Sequence, residues 1–214
     1  MKKVAIIGSQ DLAQQIVHFI HTDSKTHKVV GFYDDFQEKG KLIKEVPVLG
    51  RVEDVEQDYS NQVFDELLIG VGYQHFGFRK ASFERFKGSI PFHTFVHSTC
   101  IVEPNAKIGE GGVVYPGSII DQNVTIEDNV LINLGCSISH ETTIRQHSYL
   151  SPRVSIAGKS MIGECCFIGI GAVVIDHLFI TDEVVIGSAA NVVKDLKASG
   201  IYVGNPARKI KGAL

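Results

Sequence analysis

Every sixth residue from Val96 to Val192 is valine, isoleucine or leucine, seventeen times without a break. The series runs Val96, Val102, Ile108, Val114, Ile120, Ile126, Ile132, Ile138, Ile144, Leu150, Ile156, Ile162, Ile168, Val174, Ile180, Ile186, Val192. If about a quarter of positions carry such residues, chance gives this run about once in 10^10 trials, so the period is structural. A second register follows each aliphatic by four residues and is mostly small, with Cys100, Ala106, Gly112, Ser118, Cys136, Ser148, Ser160, Cys166 and Ala190 among its members. Two inward side chains per repeat, one large and one small, describe a narrow interior. Six residues form one short strand plus a turn, and three such units close a triangular coil of a parallel β-helix. The run supplies between five and six coils, stacked so that aliphatic residues form one continuous core.

Residues 1–88 lack this period and alternate between strand and helix patterns. Lys3 to Gly8 reads as a short apolar strand, and Leu12, Ile16, Phe19 and Ile20 carry helical spacing. Lys28 to Tyr33 and Leu67 to Val71 read as further strands, and His75 to Phe86 as a helix. Apolar strands alternating with helices predict a small parallel sheet whose ligand loops lie at the strands' carboxyl ends. Those loops are Gly8 to Asp11, Asp34-Asp35, and Gly70 to Tyr73. With a single glycine, Gly8-Ser9-Gln10-Asp11-Leu12-Ala13 is no dinucleotide fingerprint and reads as a tight turn entering a helix. Asp34 and Asp35 are either turn aspartates or acceptors for a ribose or base edge. The expected domains are residues 1–88, a β-helix over 89–195, and a cap or tail over 196–214, where Val203-Gly204-Asn205-Pro206-Ala207-Arg208 leaves the period.

A net charge of −3 provides no polycationic surface, so nucleic acid is not an expected partner. No apolar run is long enough for a membrane span, and the apolar run after Met1-Lys2-Lys3 is too short for a signal peptide. Cys100, Cys136 and Cys166 fall in the interior register, as free buried thiols suited to a reducing cytoplasm. Cys165 and Cys166 are expected in one strand, facing opposite ways. Metal is not expected, because no second Cys or His pair stands at ligand spacing and His140 to His177 misses the two-coil register by one residue.

The outward positions of the repeat are monotonous until Ser139-His140-Glu141. His140 follows the core Ile138 by two residues, which predicts a surface corner, and Glu141 could hold its tautomer. Spacing alone leaves two readings open, a general base with its carboxylate or a solvated pair. His97 and His177 read as structural residues, His147 as a surface or interface residue, and His18, His21 and His27 as a solvated face.

Five segments together resemble the sialic-acid O-acetyltransferase and nucleotide amino-sugar N-acetyltransferase family. They are Lys3-Val4-Ala5-Ile6-Ile7-Gly8, Gly31-Phe32-Tyr33-Asp34-Asp35, Ile132 through Glu141, Phe167 through Val174, and the Val203 to Arg208 ending. The resemblance implies a Rossmann-like acceptor domain, a left-handed β-helix, a homotrimer and acetyl-CoA as donor. It makes His140 the catalytic base and Glu141 its orienting partner. CoA contacts are implied at Tyr149, Gly169, Ile170, Gly171, Ser188 and Ala189. Acceptor contacts are implied at Gly8, Ser9, Gln10, Asp11, Asp34, Asp35 and Gly70. The chain departs from the family where Gln10-Asp11-Leu12 replaces a more glycine-rich loop bearing a histidine. It departs again at Tyr149, where members often have a histidine nine residues after the base.

The expected function is therefore acetyl transfer to the amine of a nucleotide-linked amino sugar in bacterial surface glycan synthesis, in the cytoplasm. The alternatives are a sugar O-acetyltransferase using the same donor and base, a zinc enzyme, and a non-catalytic scaffold.

Overall fold

The computed structural model describes residues 1–212, so the last two residues of the 196–214 tail lie outside it. The chain divides into two compact units, Met1–Phe95 and Val96–Leu214.

The first unit is a five-stranded sheet with helices. Its strands are β1 (Lys2–Ile7), β2 (His27–Tyr33), β3 (Leu42–Ile43), β4 (Val46–Gly50) and β5 (Glu66–Ile69), in the order β3-β4-β2-β1-β5. Its helices are α1 (Asp11–Asp23), α2 (Val55–Ser60) and α3 (Phe76–Phe86). Val4 through Ile7 are fully buried, as an apolar strand covered on both faces must be. On α1 the buried stripe is Ala13, Ile16, Val17 and Ile20; the spacing predicts Ile16 and Ile20 there, whereas Leu12 and Phe19 are only partly buried, and the helix runs three residues further. β1 pairs in parallel with β2 and β5, so that Ile7 stands level with Tyr33 and Ile69. The loops leaving these strands therefore open at one edge of the sheet.

The second unit is a parallel β-helix. Strands of two residues recur every six, and each pairs with the strand eighteen residues on, as Thr125 with Thr143 and Thr143 with Met161. The arrangement fits the left-handed form of the fold. Ile120, Ile126, Ile132, Ile138 and Ile144 are all buried in one cluster, each worth about 1.5–3 kcal/mol by burial. The sheets end differently, since Gly200–Val203 extends one of them and Arg208–Lys211 adds an antiparallel edge.

Two devices make so narrow a coil possible. First, every sixth residue from Gly111 to Ala189 has a positive φ of 52–74°, although ten of these fourteen are not glycine. A left-handed residue costs about 1–2 kcal/mol. Here it turns each corner and aligns backbone bonds between coils, such as Glu141 N–H to Gln122 O at 2.9 Å. Second, polar residues in the small register are satisfied by the interior backbone. The hydroxyls of Ser118, Ser148 and Ser160 each donate to a carbonyl fifteen residues on, at 2.8–3.0 Å. Cys136 and Cys166 donate in the same way through Sγ.

Three sequence expectations are corrected. Cys165 and Cys166 lie at a corner rather than in a strand, because the strands are only two residues long and Cys165 takes the left-handed turn position. His147 is fully buried, with Nδ1 3.0 Å from Asn129 Nδ2 on the coil before. His27 is partly buried against Glu66 rather than lying on a solvated face.

Candidate functional site

His140 and Glu141 are the two turn residues of one corner, between the strands Ser137–Ile138 and Thr143–Ile144. The peptide N–H of His140 donates to Asp121 Oδ2 at 3.1 Å, and its carbonyl accepts from Lys159 N–H at 2.9 Å, so the backbone of the corner is fixed from both neighbouring coils. Glu141 has φ 59°, the left-handed corner conformation. Its Oε2 lies 3.2 Å from His140 Nδ1 and 3.6 Å from Lys159 Nζ. The bond from His140, then the charge of Lys159, hold the Glu141 carboxyl below its ordinary range. With Nδ1–H committed to Glu141, Nε2 carries the lone pair. That edge of the ring lies over Gly158, where a β-carbon would sit 2.7 Å from both Cε1 and Nε2. Both side chains are about half exposed, so the imidazole is open to a reactant while its tautomer is set.

The residues expected at the donor occupy another corner. Ile170 and Gly171 form one turn, and Ser188 and Ala189 form the turn eighteen residues later, bonded by Ala189 N–H to Ile170 O at 2.8 Å. Gly169 packs against the backbone of Gly187 and Ser188 so closely that a β-carbon would stand 2.6 Å from Ser188 N. Gly171 faces open space and Ile170 is exposed, leaving backbone accessible along this edge. Corners recur every eighteen residues, so the His140 edge also carries Gly158 and His177 but not Ile170 or Ser188. One chain therefore does not bring His140 and these residues to the same edge. Tyr149 is buried; its hydroxyl accepts from Asn133 Nδ2 at 3.2 Å, and its ring centroid lies 5.8 Å from that of Phe167.

In the first unit, the loops after β1, β2 and β5 do converge. Gly8, with φ 91°, lies against Gly70 and Val71, and its N–H donates to Tyr33 O at 2.8 Å. A β-carbon on Gly70 would strike Ile6 and Ala13, so glycine is required for α1 to sit this close to the sheet. Ser9 Oγ donates to Asp34 Oδ2 at 2.5 Å, and Asp34 Oδ1 accepts from Phe36 N–H at 2.9 Å. Asp34 is thus buried with both oxygens engaged, and it holds the loops together. Asp35 is exposed; one oxygen accepts from Val52 N–H at 2.9 Å. Gln10 and Asp11 are exposed at the start of α1.

Sequence reasoning missed Arg79. It is fully buried on α3 and donates to Ile69 O and Val71 O at 3.0 and 3.1 Å, fixing the Gly70 loop. An arginine in a helical pattern carries no signal that it points inward. Sequence reasoning also missed the meeting of His27, Glu66 and His93, which stand far apart in the chain.

The chain has sequence relatives. A UDP-3-O-acylglucosamine N-acyltransferase of Delftia acidovorans is 33% identical over 100 residues, which cover 47% of this chain and 29% of that protein. The chain thus spans under a third of the curated relatives it matches. Among solved structures, the acetyltransferase domain of PglB from Neisseria gonorrhoeae superposes with a TM-score of 0.89 at 24% identity, covering 98% of this chain and 100% of that one. A histidine-to-alanine variant of GDP-perosamine N-acetyl transferase from Caulobacter crescentus, in complex with CoA and GDP-perosamine, gives 0.89 at 24% identity, covering 97% and 96%. The likeness in fold thus extends over both units. With its hexad repeats matched across residues 96–204, the chain belongs to the family described as the GMPPB C-terminal domain.

Proposed function

We propose that this chain is an acetyl-CoA-dependent N-acetyltransferase acting on the amine of a nucleotide-linked amino sugar in bacterial surface glycan synthesis. The observation that carries the reading is His140 with Nδ1 held by Glu141 and Nε2 open over Gly158. A whole-length fold in common with GDP-perosamine N-acetyl transferase and with the acetyltransferase domain of PglB supports it. The first unit, read as Rossmann-like, holds the nucleotide through the Gly8–Asp11 loop, Asp35 and the Gly70 loop, which Asp34 and Arg79 brace. The accessible backbone at Gly169–Gly171 and Ser188–Ala189 suits the extended arm of CoA. Because the base lies on a different edge, we read the donor site as a groove between copies in a homotrimer. The cytoplasm, where acetyl-CoA is made, is the compartment this chemistry requires.

The amine attacks the thioester carbonyl, forming the C–N bond as the C–S bond breaks. His140 Nε2 takes the proton from the attacking nitrogen, Glu141 stabilises the imidazolium, and the proton leaves with the CoA thiol. Such general-base help is worth about 10^2- to 10^4-fold in rate. The test is release of free CoA thiol from acetyl-CoA with UDP-, dTDP- and GDP-linked amino sugars. Release dependent on one of these amines, and lost in His140→Ala, is expected. Release with hydroxyl acceptors and with no amine would overturn the proposal.

A further inference from the structure

The parallel strands β1, β2 and β5 begin at Lys2, His27 and Glu66, so these residues gather at the sheet edge opposite the loops of Gly8, Asp34 and Gly70. Residues 91–93 then run alongside β5, with Leu67 N–H donating to Pro91 O and His93 N–H to Leu67 O, both at 2.9 Å. This brings His93 beside Glu66. Glu66 Oε2 lies 2.9 Å from His93 Nδ1 and 3.3 Å from His27 Nε2, and the three donor atoms lie within 4.8 Å of one another. The two rings face each other at 4.1 Å between centroids. His93 and Glu66 are buried, and His27 is partly so.

We propose that His27, Glu66 and His93 form a structural site for a borderline divalent cation, Zn2+ being the reference ion. Two imidazoles and one carboxylate are a donor set that zinc accepts, with a fourth position left for water. Ligands at about 2.0–2.2 Å in tetrahedral array stand about 3.3 Å apart. The two separations from Glu66, 2.9 and 3.3 Å, therefore need shifts of only a few tenths of an ångström, and the two imidazole nitrogens, within 4.8 Å of each other, close by up to about 1.5 Å as they turn onto the ion. The neighbouring groups favour the arrangement. Thr26 Oγ1 lies 2.8 Å from His27 Nδ1 and orients that ring with Nε2 toward the site. Lys2 Nζ holds the other carboxylate oxygen, Oε1, at 2.5 Å. The Lys2 side chain is largely exposed on a flexible stem, so its ammonium withdraws as the cation enters.

His93 Nε2 is buried with no hydrogen-bond partner among the described residues. The ring is consequently held by what its Nδ1 faces, the shared Glu66 oxygen. A cation there would fasten the start of β2 and the 91–93 segment to β5. It would act on stability rather than on the reaction, since the acceptor loops open at the other edge of the sheet.

The test uses tag-free full-length chain, stripped with a chelator and titrated with ZnCl2. Calorimetry is expected to give one ion per chain at micromolar or tighter Kd, with the melting temperature rising several degrees at large excess. Co2+ in place of zinc should give visible d–d absorption of a histidine-bound ion. His27→Gln and His93→Gln, each first checked by circular dichroism and melting without metal, should weaken binding at least tenfold. Lys2→Met should bind as tightly or more tightly. Equal zinc affinity in wild type and the glutamine variants would overturn the proposal. If a glutamine variant fails to fold, wild type and Lys2→Met decide: absence of saturable one-to-one binding in both overturns it.

Discussion

The imidazole of His140 lies across Gly158, one coil further along the same corner, in the space that a β-carbon at 158 would fill. The ring's position is thus set from two sides, by the Glu141 carboxylate at Nδ1 and by the bare backbone beneath Nε2. Gly158 does not have a left-handed φ, so its backbone accepts alanine. What alanine displaces is the imidazole. Gly158→Ala is expected to lower kcat about 10- to 100-fold with little change in melting temperature. Adding it to His140→Ala should cost nothing more. An unchanged kcat would mean that the ring position is immaterial.

Glu141 offers a test by pH. Its folded carboxyl is held below the ordinary value of 4.5, first by His140 and then by Lys159. A lowered folded pKa means that the ionised form, and any stabilisation it brings, is present above the unfolded value and is lost as pH falls through the folded one. Glu141 is therefore a carboxylate throughout the neutral range. The ratio of wild-type to Glu141→Gln activity is expected to be constant from about pH 8 to pH 9, above the ordinary imidazole range. A ratio that changes within that alkaline window would assign the effect to another group.

Inside the helix, Ser148 donates to Gly163 O at 2.8 Å and accepts from Cys166 N–H at 3.0 Å. Alanine leaves both groups buried and unpaired, so Ser148→Ala should cost about 1–3 kcal/mol in denaturant unfolding. Ser148→Cys should cost less, because Cys136 and Cys166 make the same contact at the same register. Equal losses would show that volume rather than the hydrogen bond governs the position.

The interior register also sorts the thiols. Burial pushes Cys136 up to about 11 and Cys166 up to about 12, whereas Cys165 and, against the expectation of a buried thiol in the first coil, Cys100 are partly accessible. The thiolate is the reactive form. Maleimide labelling of the native protein at pH 7 is expected to modify Cys165 and Cys100, and to reach Cys136 and Cys166 only after unfolding. Mass mapping of the labelled peptides checks it, and early labelling of Cys166 would contradict the packing.

The repeat was legible because period, burial and corner geometry share one number, six, and no insertion interrupts it. The hairpin of β3 and β4 was not. Its turn residues are Lys44 and Glu45, with φ of 47° and 70°, where a sequence signal would require asparagine or glycine. His140-Glu141 could be singled out because an imidazole beside a carboxylate two residues after a core position is readable from the repeat spacing alone. Arg79 and the His27, Glu66 and His93 group could not, since their proximity is created by sheet pairing between segments that share no local pattern. The resemblance implied an acceptor contact for Asp34, but the sequence could not reveal that its oxygens are spent on Ser9 and Phe36.

The last prediction concerns the two edges of the β-helix. His140 stands on one corner series, and Ile170, Gly171, Ser188 and Ala189 stand on another. If donor and base meet only between copies, one defective chain can be complemented by another. His140→Ala removes the proposed base, and Gly171→Trp blocks the open backbone of the proposed donor corner. Each variant alone should be inactive. Mixed after dissociation and reassembly, they should regain activity at the interfaces that pair an intact His140 with an intact Gly171. In a trimer assembled at random from equal amounts, about a quarter of interfaces combine the two, so about a quarter of wild-type activity is expected. Sedimentation should give the mass of three chains. A mixture that stays inactive while forming trimers would locate donor and base within the same copy.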